Sequence, residues 1–134
     1  MKNISNSIIL ILISLFFAGK SHGQVQDTSI ITLKGYNKLV ANEKKLVLVY
    51  FSADWCSVCA RVKPVIEKMA KQDSLKLKVL KIDTDRDKEL TEEFEIDALP
   101  VLMIYRNGCR EWLNIGIINE NELKYIVDHF LKGK

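Results

Sequence analysis

Leu46-Val47-Leu48-Val49-Tyr50-Phe51 is an almost continuously apolar, β-prone run that stops at Ser52-Ala53-Asp54-Trp55, immediately before Cys56-Ser57-Val58-Cys59. Without polar alternation, such a run reads as a central strand covered on both faces, as parallel sheets require. The next element starts near Cys56 and runs towards Lys71. Within it Val62, Val65, Ile66 and Met69 recur at i, i+3, i+4 and i+7, which is one face of a helix. Pro64 interrupts that pattern. It has no N–H to donate, and a kink is expected one turn after the second cysteine.

Upstream, Ser29 to Leu33 reads as a first strand and Tyr36 to Asn42 as a short helix, after a polar lead-in over residues 24–28. Downstream, Leu75 to Ile82 is a further strand whose lysines at 76, 78 and 81 mark solvent-reaching positions. Asp83-Thr84-Asp85 turns the chain into a short helix over Asp87 to Phe94, with Leu90 and Phe94 one turn apart. Val101 to Tyr105 is the next strand, and Asn107-Gly108 is a two-residue hairpin signal that sets Arg110 to Ile115 antiparallel to it. Asn119, with Glu122 three residues later, has the layout of a capping box for a last helix that buries Leu123, Ile126, Val127 and Phe130. Helices separate the early strands and a hairpin joins the last two. The pattern predicts an α/β fold, a central mixed β-sheet flanked by helices, with no internal repeat or second domain.

Ahead of this pattern, Lys2 supplies a short basic stretch, Ile8 through Ala18 is apolar except for Ser14, and small polar residues follow. That is the layout of a secretory signal peptide. The run is short for a membrane span, which needs about 20 apolar residues. Ser21-His22-Gly23 suits cleavage, which makes residues 1–23 the signal peptide and 24–134 the domain. A cut closer to Ala18 and an uncleaved N-terminal anchor are the alternatives. Cleavage takes Lys2 and Lys20 away and no acid, so the formal charge of +3 falls to about +1. Basicity therefore gives no case for a nucleic-acid partner, and the interspersed lysines and acids read as a solvated surface.

Three cysteines are too few for a disulfide-stapled scaffold, and a single disulfide among Cys56, Cys59 and Cys109 has three possible pairings. The tight spacing of Cys56 and Cys59 favours that pair and leaves Cys109 over. Two plainer readings stand beside a redox one: a static disulfide and a zinc half-site. Zinc usually takes four ligands, and the remaining candidates are Cys109, His22 and His129. No cofactor or metal is called for.

Ala53-Asp54-Trp55-Cys56-Ser57-Val58-Cys59 resembles the active-site segment of the thioredoxin family, usually Trp-Cys-Gly-Pro-Cys after a hydrophobic central strand. Pro64 matches the family's proline in the active-site helix, Ile82-Asp83 the acidic end of its middle strand, and Phe94 to Pro100 the segment leading to its cis-proline. Asn107-Gly108 matches the hairpin turn and Gly116 a glycine at the end of the last strand. The likeness spans roughly residues 29–131. It implies a thioredoxin fold and a bacterial thiol–disulfide oxidoreductase that reduces protein disulfides, and the N-terminal segment, read as a signal peptide, makes it an exported one of the periplasm. Cys56 is then the nucleophile, exposed and readily ionised at a helix mouth. Cys59 is the less exposed resolving thiol, and Trp55, Leu99 and Pro100 are the substrate-contacting residues. Disulfide-containing proteins and a membrane thiol-electron donor are the implied partners of a monomer.

The departures from the family bear on the chemistry. Ser57-Val58 replaces Gly-Pro, Ser52 replaces a tryptophan, Val79 stands at a usual lysine, and Tyr50 stands where the family has a buried aspartate. A tyrosine of ordinary pKa near 10 is no proton acceptor at neutral pH; water, Asp54 or Glu95 is left for that task. A disulfide oxidant or isomerase, service to cytochrome maturation, and a thioredoxin-like module that binds peptides without turnover are the competing functions.

Overall fold

The middle of the sheet is β1 (Leu46–Ser52), paired in parallel with β2 (Leu77–Asp83) on one side and antiparallel with β3 (Val101–Arg106) on the other. β4 (Cys109–Ile115) completes the order β2-β1-β3-β4. The computed structural model describes residues 30–41 and 44–133; the expected signal peptide lies outside them. Leu46 through Phe51 are all buried, as the unbroken apolar run requires of a strand covered on both faces. Its side chains divide by alternation. Leu46, Leu48 and Tyr50 join one core with α2 (Ser57–Gln72) and α4 (Glu120–Lys132). Val47, Val49 and Phe51 join the other with α1 (Leu33–Ala41) and α3 (Lys88–Glu93).

α2 starts where the sequence places it, and it runs on through Pro64, which supplies no N–H to the carbonyl one turn back. Cys59, Val62, Ile66 and Met69 are its buried residues, with Val65 half-buried at the edge of the stripe. The β3–β4 turn carries Asn107 at φ 51° and Gly108 at φ 82°, the paired positive values that a tight two-residue hairpin demands. A Cβ on Gly108 meets the Ala41 Cα at 3.2 Å, a second reason for glycine there. Asn119 caps α4 as expected, its Oδ1 accepting the Glu122 N–H at 2.9 Å.

The first strand expected over Ser29–Leu33 is not present among the described residues. Ile30 to Thr32 have no strand pairing, and Leu33 already belongs to α1. Carboxylates from the α3 region take the backbone donors a strand would use: Ile31 N–H donates to Asp87 Oδ1 at 2.8 Å and Leu33 N–H to Glu89 Oε2 at 3.1 Å. Thr32 is a helix cap, with its Oγ1 accepting from Gly35 N–H and its carbonyl from Tyr36 N–H. The third expected strand also begins two residues late. Asp73 O accepts from both Lys76 and Leu77 N–H, so Leu75 sits outside the sheet and exposed.

Candidate active site

β1 delivers the chain to its C-terminal edge, where Ala53 tucks in and its carbonyl accepts the Cys56 N–H at 3.1 Å. That bond bends the strand into the helix and makes Cys56 the N-cap of α2. Cys56 and Cys59 are joined as a disulfide with their Cα atoms 5.2 Å apart. The Cys59 N–H donates to Cys56 Sγ at 3.1 Å, so one of the unsatisfied donors of the helix start is aimed at sulfur. Both cysteines are nevertheless well covered. Cys56 retains 7% exposure and Cys59 3%. The order matches the expectation, but the exposed Cys56 does not: in the disulfide form it packs in the core cluster with Ala53, Tyr50 and Leu102.

Trp55 lies beside the disulfide and is 71% exposed. Its ring is fixed from one side, with Nε1 donating to Asp85 Oδ2 at 2.8 Å. Asp85 is in turn held by a 3.7 Å contact to Lys88 Nζ. Leu99-Pro100 is a cis peptide; Leu99 packs against the same cluster that holds the cysteines. Pro100 is buried, and its carbonyl accepts the Gly116 N–H at 2.8 Å, which ties it to the end of β4.

A cavity of about 330 Å³ lies behind the cysteines, lined in part by Tyr50, Ser52, Asp54, Lys63, Lys81 and Arg86, with both cysteines in its wall. The buried Tyr50 hydroxyl donates to the Cys59 carbonyl at 3.0 Å. Burial is the main force pushing that hydroxyl above its ordinary pKa, with the Glu67 carboxylate adding to the rise and a hydrogen bond to Ser52 opposing it. Tyr50 therefore stays a neutral donor at physiological pH. Of the two acids considered as substitutes for the family aspartate, Asp54 borders the cavity and Glu95 does not. Lysines 63 and 81 and Arg86 are site residues that the sequence reading did not single out. The visible signal for Lys63 was its place four residues after Cys59, on the same helical face.

Cys109 is a free, exposed thiol at the first position of β4. His129 is exposed near the end of α4, with its ring 5.4 Å from Phe130. Among the described residues no cluster of three potential ligands is placed to hold a metal.

Across residues 27–129 the chain matches the profile of the Thioredoxin family. It is 34% identical over 95 residues to a thioredoxin of Rickettsia bellii (strain RML369-C), which is 71% of this chain and 90% of that protein. Against a chloroplastic thioredoxin M5 of Oryza sativa subsp. japonica it is 28% identical over 117 residues, 87% of this chain and 68% of that protein. Among solved structures, the germline-specific thioredoxin Deadhead of Drosophila melanogaster superposes with a TM-score of 0.66 at 30% identity. That match covers 78% of this chain and 99% of that one.

Proposed function

The chain belongs to the thioredoxin family and is a thiol–disulfide oxidoreductase acting on disulfide-containing proteins, and from that premise we propose that it is an exported reductant working in the periplasm. The observation that carries the reading is the disulfide at the start of α2, with the Cys59 N–H directed at Cys56 Sγ. When the pair is reduced, that donor and the positive end of the helix favour a thiolate at Cys56. Cys56 is the nucleophile. Its thiolate attacks one sulfur of the substrate disulfide, the substrate S–S bond breaks, and the other substrate sulfur leaves as a thiolate that takes a proton from water. Cys59 resolves the mixed disulfide. Its sulfur bonds to Cys56 Sγ, the bond to substrate breaks, and the protein emerges oxidised by two electrons with the substrate dithiol reduced.

Trp55, Leu99 and Pro100 form the substrate-contacting rim of this site. The exposed indole, held by Asp85, offers a rigid apolar surface beside the cysteines, while the cis peptide offers backbone to an extended segment. Export rests on the basic, apolar and small-polar layout of residues 1–23, and the domain that functions is 24–134. A reductant in that compartment draws its electrons from a membrane thiol donor, because periplasmic oxidation is maintained kinetically. We read the working form as a monomer.

The test is the equilibrium potential of the Cys56–Cys59 couple in dithiothreitol or glutathione buffers. A value near about −270 mV is expected of a reductant, and a value near about −120 mV overturns that direction in favour of an oxidant.

A further inference from the structure

No carboxylate stands beside Cys59 on β1, because Tyr50 occupies that place and its hydroxyl is committed to the Cys59 carbonyl. The charged groups around the cavity are instead mostly basic: Lys63, Lys81 and Arg86 face Asp54 and Asp83. Lys63 stands four residues after Cys59 on α2, so the two share one helical face with Cβ atoms about 5–6 Å apart. Long helical side chains lean back over the turn N-terminal to their own Cα. Lys63 therefore leans towards Cys59, and both line the cavity.

Glu67 is the next residue on that face and the ordinary partner for a lysine one turn away. It is engaged elsewhere. Its Oε1 lies 2.9 Å from Lys81 Nζ, and Lys81 is the cross-strand neighbour of Tyr50 on β2. Lys63 makes no ion pair among the described residues. Two carboxylates oppose its field at the cavity, and Glu67 opposes it through space from the same helix. Asp54 and Lys63 are both exposed, so water screens each of them, and Asp83 Oδ1 accepts the Asp85 N–H at 2.9 Å. Arg86 and Lys81 reinforce it.

We propose that Lys63 sets the reactivity of Cys59: its ammonium favours the resolving thiolate, and the Glu67–Lys81 ion pair keeps Glu67 from pairing directly with it. The inference rests on exchange through Cys56 and Cys59. In the resolving step the Cys59 proton passes to water in the cavity, and the thiolate attacks Cys56 Sγ. The Cys56–substrate bond breaks and its electron pair leaves on the substrate sulfur. Lys63 acts through Cys59 as a positioning residue and neither donates nor accepts the proton. A cation thus does electrostatically what an adjacent base does by proton transfer.

The reaction of the reduced protein with dithiobis(nitrobenzoate), in a Cys109→Ser background that removes the exposed third thiol, separates the steps. The first equivalent of thionitrobenzoate reports attack by Cys56, and the second reports resolution by Cys59. Followed against pH, the second phase in Lys63→Met is expected to move its midpoint up by at most about one pH unit and to run about threefold slower below it, because the more basic thiolate is the better nucleophile. Lys63→Arg keeps the parental midpoint; Lys81→Met, which removes a reinforcing cation and releases Glu67 to Lys63, shifts it the same way by less, and adding Glu67→Gln takes back part of that shift. A parental midpoint in Lys63→Met, or a shift that Lys63→Arg does not rescue, overturns the role of the charge. A Lys81→Met shift that Glu67→Gln leaves unchanged overturns the role of the ion pair. A Cys109→Ser protein that releases one equivalent, as Cys59→Ser in the same background must, overturns exchange by this pair and the inference with it.

Discussion

On the face covered by α1 and α3, aromatic rings close the sheet. Tyr36 lies 4.9 Å from Phe94 and 5.9 Å from Tyr105, and Phe51 lies 5.7 Å from Phe94. On the face covered by α2 and α4, apolar packing ends at a cavity of about 330 Å³ bounded by both cysteines and by lysine, arginine and aspartate side chains. One strand serves both. Val47, Val49 and Phe51 of β1 point to the ring-filled side, while Leu48 and Tyr50 point to the disulfide side. The difference separates two tasks along one backbone. The sealed side holds β1 in place, and the open side accepts polar atoms and water where a thiol must change its protonation state.

The hardest way to break that division is to empty the sealed side. Phe51 is fully buried, and Phe51→Ala is expected to cost about 3–5 kcal/mol of stability, the range for removing a core phenylalanine. Denaturant unfolding reads the loss. The potential of the Cys56–Cys59 couple, measured where the variant is folded, is expected to stay at the parental value. A potential that moves with the stability shows that the rings tune the site, and the two faces are then one unit.

Tyr50→Phe probes the open side with a smaller change. It removes the hydroxyl that donates to the Cys59 carbonyl and keeps the ring. That carbonyl retains its helical acceptor role towards the N–H four residues on, so the expected loss is about 1 kcal/mol, the net value of one hydrogen bond. The sign with pH follows from burial. The folded hydroxyl is pushed above its ordinary value of 10.0, so its contribution is complete below that pH. It is lost as pH rises above 10 towards the folded pKa. Tyr50→Phe is expected to flatten this alkaline limb of the stability curve, and an unchanged limb places the alkaline loss elsewhere.

Much of this arrangement is legible in the residues. The unbroken run from Leu46 to Phe51 can only be a doubly covered strand, the 3.6-residue spacing from Val62 to Met69 gives α2, and Asn107-Gly108 gives the hairpin. Apart from the late start of β2, which a local turn on the Asp73 carbonyl sets, the failures involve contacts that are distant along the chain. Ile31 and Leu33 look β-prone, but their N–H groups are taken by Asp87 and Glu89, 56 residues away in both cases. Cys56 looks like an exposed helix cap, yet packing around Ala53 and Leu102 covers it. At the site, the absence of a carboxylate at position 50 is plain from sequence. That Tyr50 reaches the Cys59 carbonyl, and that Glu67 turns to Lys81, depends on how α2 lies across β1 and β2.

The Glu67–Lys81 pair gives the smallest and most discriminating contrast between the two faces. The hydrogen bond from Lys81, first, and the nearby lysines hold the Glu67 carboxyl below its ordinary value of 4.5. A depressed carboxyl contributes stability that is present above the unfolded pKa and fades as pH falls through the folded one. Its side chain is 38% exposed and that of Lys81 26%, so water screens the pair and its worth is held below about 1 kcal/mol. Lys81→Met is therefore expected to be slightly less stable than the parent near neutral pH, with the difference closing in acid below 4.5. The Phe51→Ala deficit involves no titrating group, so it is expected to stay open across the same range. Parallel urea titrations of both variants from neutral pH into acid check this, and a Lys81→Met deficit that persists unchanged in acid shows packing of the lysine stem, not its charge, at work on the open face.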